Sequence, residues 1–358
     1  MSTLIGVSGC RSSEPSKRET IHDRAFVAQP WTDDIPDAPR LDGDMGGREV
    51  LVRDTKLFVI EEGEGVPLVL LNGGPGNSLH SFLPHFSRAA DFARVVYYDP
   101  RGVGRSEWNP AEGYSCAQAI ADLEALRDAL DIERWVVLGW SWGGHLARLY
   151  ALCHPERVQG LVLLSATAEF EVQQRVSAPE LQSVDEAKRI RACYTYDGRR
   201  VLPVFANGVP AEHVQRMVYN AYRNGGWKHQ HYYRPTDERI AQIVRYEWIH
   251  DQGYNFGLRK SGDIRLKGAF VGTPFPTLIV DGRWDMTFPL DKGKLLAEET
   301  EGGHAFLFED SSHHVFSEEP GRFFGLLEAF MSKLPEPEAA KVEAFRQHAV
   351  PYVKQIQP

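Results

Sequence analysis

From residue 49 onward the chain alternates short apolar runs with longer amphipathic stretches. "REVLVRD" and "KLFVIEEG" come first, two apolar, β-branched-rich runs around a tight polar turn, which predicts a hairpin. Six further runs follow, each closed by glycine or a polar turn: "PLVLLNGG", "RVVYYDPRG", "WVVLGWS", "GLVLLSA", "PTLIVDG" and "HAFLFEDSS". Runs that are apolar on both faces suit strands of a parallel sheet covered by helices. Together they predict eight strands, the first two antiparallel and the rest joined by crossovers, in a mostly parallel, doubly wound α/β sheet.

The gaps carry helical spacing. Ile120, Leu123, Leu126 and Leu130 share one helical face, and Ser115 with Gln118 forms a capping box ahead of them. "HLARLYALCHPERV" predicts another helix directly after the fifth run. The alternation breaks once, between Ala166 and about Thr273, where charged and aromatic helix-compatible sequence lacks strand runs. This predicts an inserted helical cap over the carboxyl edge of the sheet, where ligands of such folds bind. The expected organisation is a tether or arm over 1–48, a first core segment over 49–167, the cap over 168–273, a second core segment over 274–335 and a short helical tail over 336–358.

Charge and cysteine usage remove several classes of function. The net charge is −9 and no long run of lysine and arginine would track a phosphate backbone, so nucleic acid is not an expected partner. No apolar run reaches the roughly 20 residues of a membrane span. Cys10, Cys116, Cys153 and Cys193 have neither disulfide-type nor metal-type spacing, and His229 with His231 is an isolated pair, so no metal and no organic cofactor is implied. The opening "LIGVSGC" followed by polar "RSSEPSKRET" resembles the end of a bacterial lipoprotein signal with an acylated Cys10, although Met1–Gly9 carries no basic residue and is short for a signal peptide. Two locations therefore stand: the cytoplasm, or the bacterial periplasm or envelope with a lipid anchor at Cys10.

The candidate chemistry sits in "GWSWGG". Gly139, Ser141 and Gly143 form G-x-S-x-G between a predicted strand and a predicted helix, a turn so sharp that the residues two places either side of the serine must lack side chains. A serine hydroxyl needs a base to take its proton and a carboxylate to hold that base. Loops after later strands supply both: Asp281 and Asp285 after "PTLIV", His313 and His314 after "HAFLFED".

With these residues in place the chain resembles the α/β-hydrolase superfamily and, within it, the prolyl aminopeptidase (proline iminopeptidase) group. The likeness covers about residues 50 to 335 and is carried by "NGGPG" at 72–76, "DPRGVGRS" at 99–106, "GWSWGG" at 139–144, and "GRWD" at 282–285 with the histidine segment ending "EEP". It implies Ser141 as nucleophile, Asp285 as acid and His313 as base, with Asp281 and His314 as their alternatives. It further implies an oxyanion hole from the N–H groups of Gly74 and Trp142, and it makes Glu247, Trp140 and Gly73 the candidate substrate-binding residues, Glu247 as acceptor of a substrate amine. The substrate would be a small molecule or short peptide. Two positions depart from the group: Asn72 stands where histidine is usual, and Lys228 follows Trp227 where glutamate is expected. A lysine there would repel an ammonium group, which keeps a carboxylesterase and a ligand-binding homologue without turnover as alternatives to the peptidase. "DPRGVGRS" is expected to be structural.

Overall fold

The structure, a computed structural model, describes residues 46–107, 114–166, 195–196, 199–200, 264–283, 285 and 292–356. The tether with Cys10, most of the expected cap, and Trp227, Lys228 and Glu247 lie outside the described residues.

Eight strands form one sheet: β1 (Arg48–Val52), β2 (Thr55–Glu62), β3 (Val66–Leu71), β4 (Ala93–Tyr98), β5 (Trp135–Trp140), β6 (Val158–Leu164), β7 (Thr277–Gly282) and β8 (Gly303–Phe308). Their spatial order is β1-β2-β4-β3-β5-β6-β7-β8. β1 pairs antiparallel with β2 across the turn at Arg53 and Asp54, β2 pairs antiparallel with β4, and every later pairing is parallel. Each apolar run of the sequence is thus one strand of the sheet.

The two-residue period of a strand sends alternate side chains to opposite faces. Val69, Leu71 and Val137 join one buried cluster, whereas Leu68, Leu70, Val136 and Leu138 join the other. The first cluster is covered by α1 (Cys116–Ala129), α2 (Trp142–Cys153) and α6 (Ala339–Ile356); the second by α4 (Val315–Glu318), α5 (Pro320–Met331) and the 3₁₀ turns around Leu79 and Phe86. α3 (Lys292–Glu299) connects β7 to β8. The Ser115 hydroxyl accepts from the N–H of Gln118 at 3.2 Å, the cap that starts α1.

Three features differ from the sequence expectation. β8 lies at the sheet edge, so "HAFLF" is not covered on both faces and Leu307 is exposed. The tail helix α6 is long, 18 residues with Pro351 inside it, because Val342, Phe345, Ala349 and Ile356 keep one buried stripe along its whole length. Finally, Thr195–Tyr196 pairs antiparallel with Arg199–Arg200 inside the stretch expected to be helical. Ile264, Leu266, Ala269 and Phe270, at the end of that stretch, are buried in the core cluster under α6. Among the described residues no helix is long and apolar enough to cross a membrane.

Candidate active site

Only Ser141 separates β5 from α2. Its backbone stands at φ 56° and ψ −123°, a left-handed conformation for a residue with a side chain. Strain of this kind costs about 1–3 kcal/mol and persists only where the surroundings impose it. Here Ser141 N donates to Leu164 O on β6 at 2.9 Å, and Gly144 N donates to Ser141 O at 3.0 Å. The flanking glycines make room for the turn. A Cβ on Gly139 would collide with the carbonyl of Gly143, one on Gly143 with the carbonyl of Leu71, and one on Gly144 with the Ala166 side chain. The turn therefore sits pressed between the ends of β3 and β6, and Ser141 at the start of α2 is buried.

The loop after β3 runs beside the serine. A Cβ on Gly73 would lie 2.9 Å from Trp140 Cε3 and 3.0 Å from Ser141 Cβ, so nothing larger than glycine passes there. Gly74 follows at φ +113°. Asn72 anchors this loop, its Nδ2 donating to Tyr98 O at 3.1 Å, and Asn77 N donates back to Gly73 O at 3.3 Å. Asn72 thus ties the loop to the end of β4 through a neutral side chain where the resemblance leads one to expect histidine. Trp142, whose N–H heads α2, directly follows Ser141.

Asp285 follows β7 and is set by its own N–H donating to Gly282 O at 3.1 Å. His313 Nδ1 lies 2.8 Å from Asp285 Oδ2, and both residues are buried. An ionised carboxylate only accepts, so against one Nδ1 is the donor. The same histidine is fastened to the residue before the serine: Trp140 Nε1 donates to His313 O at 3.0 Å, and the two rings stand 5.3 Å apart. The structure therefore gathers Trp140, Asp285 and His313 around the strand-to-helix turn of Ser141. The His314 ring lies 4.8 Å from Trp140 and 5.8 Å from Phe316.

Asp281, the other aspartate at this strand end, is not the carboxylate against His313 at hydrogen-bond distance. It pairs with Lys292 Nζ at 2.8 Å. Burial pushes its carboxyl above the ordinary value, and Lys292 pulls the other way.

Sequence reading missed three supports. Glu318 and Glu319, in the "EEP" segment, clamp the histidine loop: Glu318 Oε2 accepts from Ser312 N at 2.7 Å, while Glu319 Oε2 accepts from Ser311 Oγ at 2.6 Å and Asp310 N at 3.1 Å. Asp99 accepts from Leu79 N at 2.8 Å and Arg105 N at 2.9 Å, joining the loops after β3 and β4. Buried Lys292 is the third. Asp99 reaches across to the loop after β3, Glu318 and Glu319 accept from the loop before their own segment, and Lys292 meets Asp281 across the α3–β7 packing, so none of these supports is local in the sequence. The Arg101 side chain of "DPRGVGRS" is buried in an ion-pair cluster, with Nε 2.8 Å from Asp122 Oδ2 and an NH2 2.6 Å from Asp54 Oδ1. Among the described residues no three His, Cys, Asp or Glu side chains converge as a metal site would require.

Comparison with known proteins agrees with this fold. Residues 66–320 match the family model described as "alpha/beta hydrolase fold". Proline iminopeptidase of Neisseria gonorrhoeae is 42% identical over 106 residues, 28% of this chain; the chain spans 32% of the length of that relative. 2-Hydroxymuconate semialdehyde hydrolase of Pseudomonas putida is 28% identical over 294 residues, covering 80% of this chain and 94% of the relative. Among solved structures, an esterase from Exiguobacterium antarcticum superposes with a TM-score of 0.59 at 25% identity, covering 80% of this chain and 100% of the esterase.

Proposed function

Because the chain belongs to the α/β-hydrolase family, we propose that it is a serine hydrolase that works through an acyl-enzyme and releases N-terminal proline or other small residues from short peptides. In this reading Ser141 Oγ attacks the scissile carbonyl while His313 Nε2 takes its proton, and Asp285 holds the imidazole in the tautomer that can accept it. The N–H groups of Trp142 and Gly74 receive the charge that develops on the carbonyl oxygen, each contributing roughly 3 kcal/mol to the transition state. His313 then returns the proton to the leaving amine, and a water activated through the same imidazole releases the acyl group. One observation carries the reading: His313 contacts Asp285 at 2.8 Å and is bonded through its carbonyl to the tryptophan that precedes Ser141.

The peptide substrate is favoured by the 42% identity to a proline iminopeptidase. Under it Glu247 accepts the substrate's free amine, since a buried ammonium needs a carboxylate partner. A carboxylesterase is the second reading, favoured by the full-length likeness to an esterase and by Lys228 after Trp227.

A paired assay decides. Proline p-nitroanilide and p-nitrophenyl butyrate are offered side by side to the wild type, Glu247→Gln and Ser141→Ala. The peptidase turns over the anilide efficiently and loses that activity far more than the ester activity in Glu247→Gln, while Ser141→Ala abolishes both. Equal loss of the two activities in Glu247→Gln removes amine recognition, and turnover surviving in Ser141→Ala removes the acyl-enzyme.

A further inference from the structure

Two buried carboxylates stand four residues apart where β7 ends, and the Lys292 ammonium lies between them. Lys292 Nζ is 2.8 Å from Asp281 Oδ1 and 3.7 Å from Asp285 Oδ2. Lys292 is the first residue of α3 and is 2% exposed, an extreme for a side chain that normally keeps its charge in water. The next residue, Gly293, has no room for a side chain because a Cβ there would collide with the Asp281 carboxylate. The start of α3 is thus packed directly on Asp281. Oδ2 of Asp285, the oxygen on the Lys292 side, is also the one His313 Nδ1 reaches. Asp281, Lys292, Asp285 and His313 therefore form one buried row of alternating charge ending on the imidazole.

Burying an ammonium is costly unless its partners are well placed, and two carboxylates this close repel each other unless a cation lies between them. A lysine that only packed would not need this position. We propose that Lys292 is a positioning residue for catalysis: it neutralises Asp281, so that Asp285 alone presents its negative charge to His313. The inference rests on Asp285 and His313 being the acid and base of the proposed mechanism. The ionisable groups arranged about His313 among the described residues are Asp285 and Asp281 from the end of β7, Lys292 from α3, His314 beside it in its own loop and Glu318 on α4, which holds that loop through Ser312 N.

The charges then act on His313 with opposite signs. Without Lys292, the Asp281 charge adds to that of Asp285 and favours the imidazolium. Without Asp281, Lys292 turns to Asp285 and disfavours it. The experiment is the pH profile of kcat/KM for Lys292→Met, Asp281→Asn and the double variant, with folding checked by circular dichroism. Lys292→Met moves the acidic limb up and Asp281→Asn moves it down, each by about one pH unit, which is about tenfold in the fraction of active enzyme at the foot of the profile. In Lys292→Met kcat near pH 7 falls about tenfold while KM changes little, and the double variant returns close to the wild-type limb. If Lys292→Met does not fold, the downward shift in Asp281→Asn and its reversal in the double variant decide the matter. Unshifted limbs in the folded single variants, or a double variant no better than they are, overturn the role of Lys292. Asp285→Asn and His313→Gln serve as controls: full activity in either would overturn the acid and base assignment instead.

Discussion

At the scale of single residues, Asp99 shows burial winning over hydrogen bonding. The carboxylate is fully enclosed, accepts from the N–H groups of Leu79 and Arg105, and leaves no space for a side chain at Gly104, whose φ is +55°. Its pKa is nevertheless pushed up to about 6, burial outweighing the two backbone donors and the Arg105 charge. Between about pH 4 and 6 the folded protein therefore holds a proton that the unfolded chain has released, and stability falls as pH rises through that window. Asp99→Asn removes the titration. Whatever constant cost the amide adds beside the Arg105 N–H, the variant should gain on the wild type by up to about 3 kcal/mol between pH 4 and 7. His80, held down to about 4 chiefly by burial and also by Arg105, titrates in both proteins and largely cancels from the difference. Urea unfolding of the two proteins at both pH values measures it; a difference independent of pH would mean that Asp99 stays ionised at no cost.

At the scale of elements, two glycines that look alike in the sequence have opposite requirements. Gly143, in the first turn of α2, lies against the carbonyls of Leu71 and Asn72, backbone atoms that cannot step aside. Gly325 lies within α5 and, beyond its own helix backbone and chain neighbours, no atom of the described residues comes within 4 Å of where a Cβ would stand. Gly143→Ala should destabilise the fold by about 1–3 kcal/mol or more and abolish hydrolysis, because the collision displaces the turn that holds Ser141. Gly325→Ala should stabilise it by about 1 kcal/mol by removing glycine's helix penalty. Thermal melts of both, with the ester assay, check the pair; an active, stable Gly143→Ala protein would show that the turn can relax. The contrast also marks what a sequence reveals. The turn at Ser141 was legible because a strand run, spaced glycines and a helix stripe are all local. The strands were legible for the same reason, though not that β8 would take the sheet edge, since edge position depends on the pairing order of all eight. The assignment of Asp285 over Asp281 leaned on a family resemblance, as spacing alone did not separate them; what separates them in space is His313 Nδ1, 2.8 Å from Asp285, a contact between loops far apart in the chain. Glu318 and Glu319 were visible as "EEP" but not as clamps, because the N–H groups they accept from belong to the preceding loop.

For the whole molecule, the question is what keeps the two stretches of sheet core working as one body across the long insertion. α6 is the link on one face. Its Phe345 is buried with ring centroids 6.3 Å from Phe270 and 5.8 Å from Phe275, in the segment that re-enters the sheet, and the same cluster contains Leu146, Leu149 and Tyr150 of α2, the helix that begins beside Ser141. Hydrogen bonds accompany the packing: Gln355 Oε1 accepts from Arg265 N at 3.0 Å, the Tyr352 hydroxyl donates to Lys267 O at 3.2 Å and His348 Nε2 approaches Gly268 O at 2.8 Å. All three are near solvent, where such a bond contributes about 0.5–1.5 kcal/mol, whereas emptying a buried phenylalanine site costs about 3–5 kcal/mol. Apolar burial should therefore dominate the attachment of the tail. Phe345→Ala is expected to lower the unfolding free energy several times more than Tyr352→Phe does, and to lower Tm accordingly, as measured by urea and thermal unfolding. If the two variants lose equally, the tail is held by its polar edge rather than its buried stripe, and α6 is a surface strap rather than part of the core that supports α2 and the turn at Ser141.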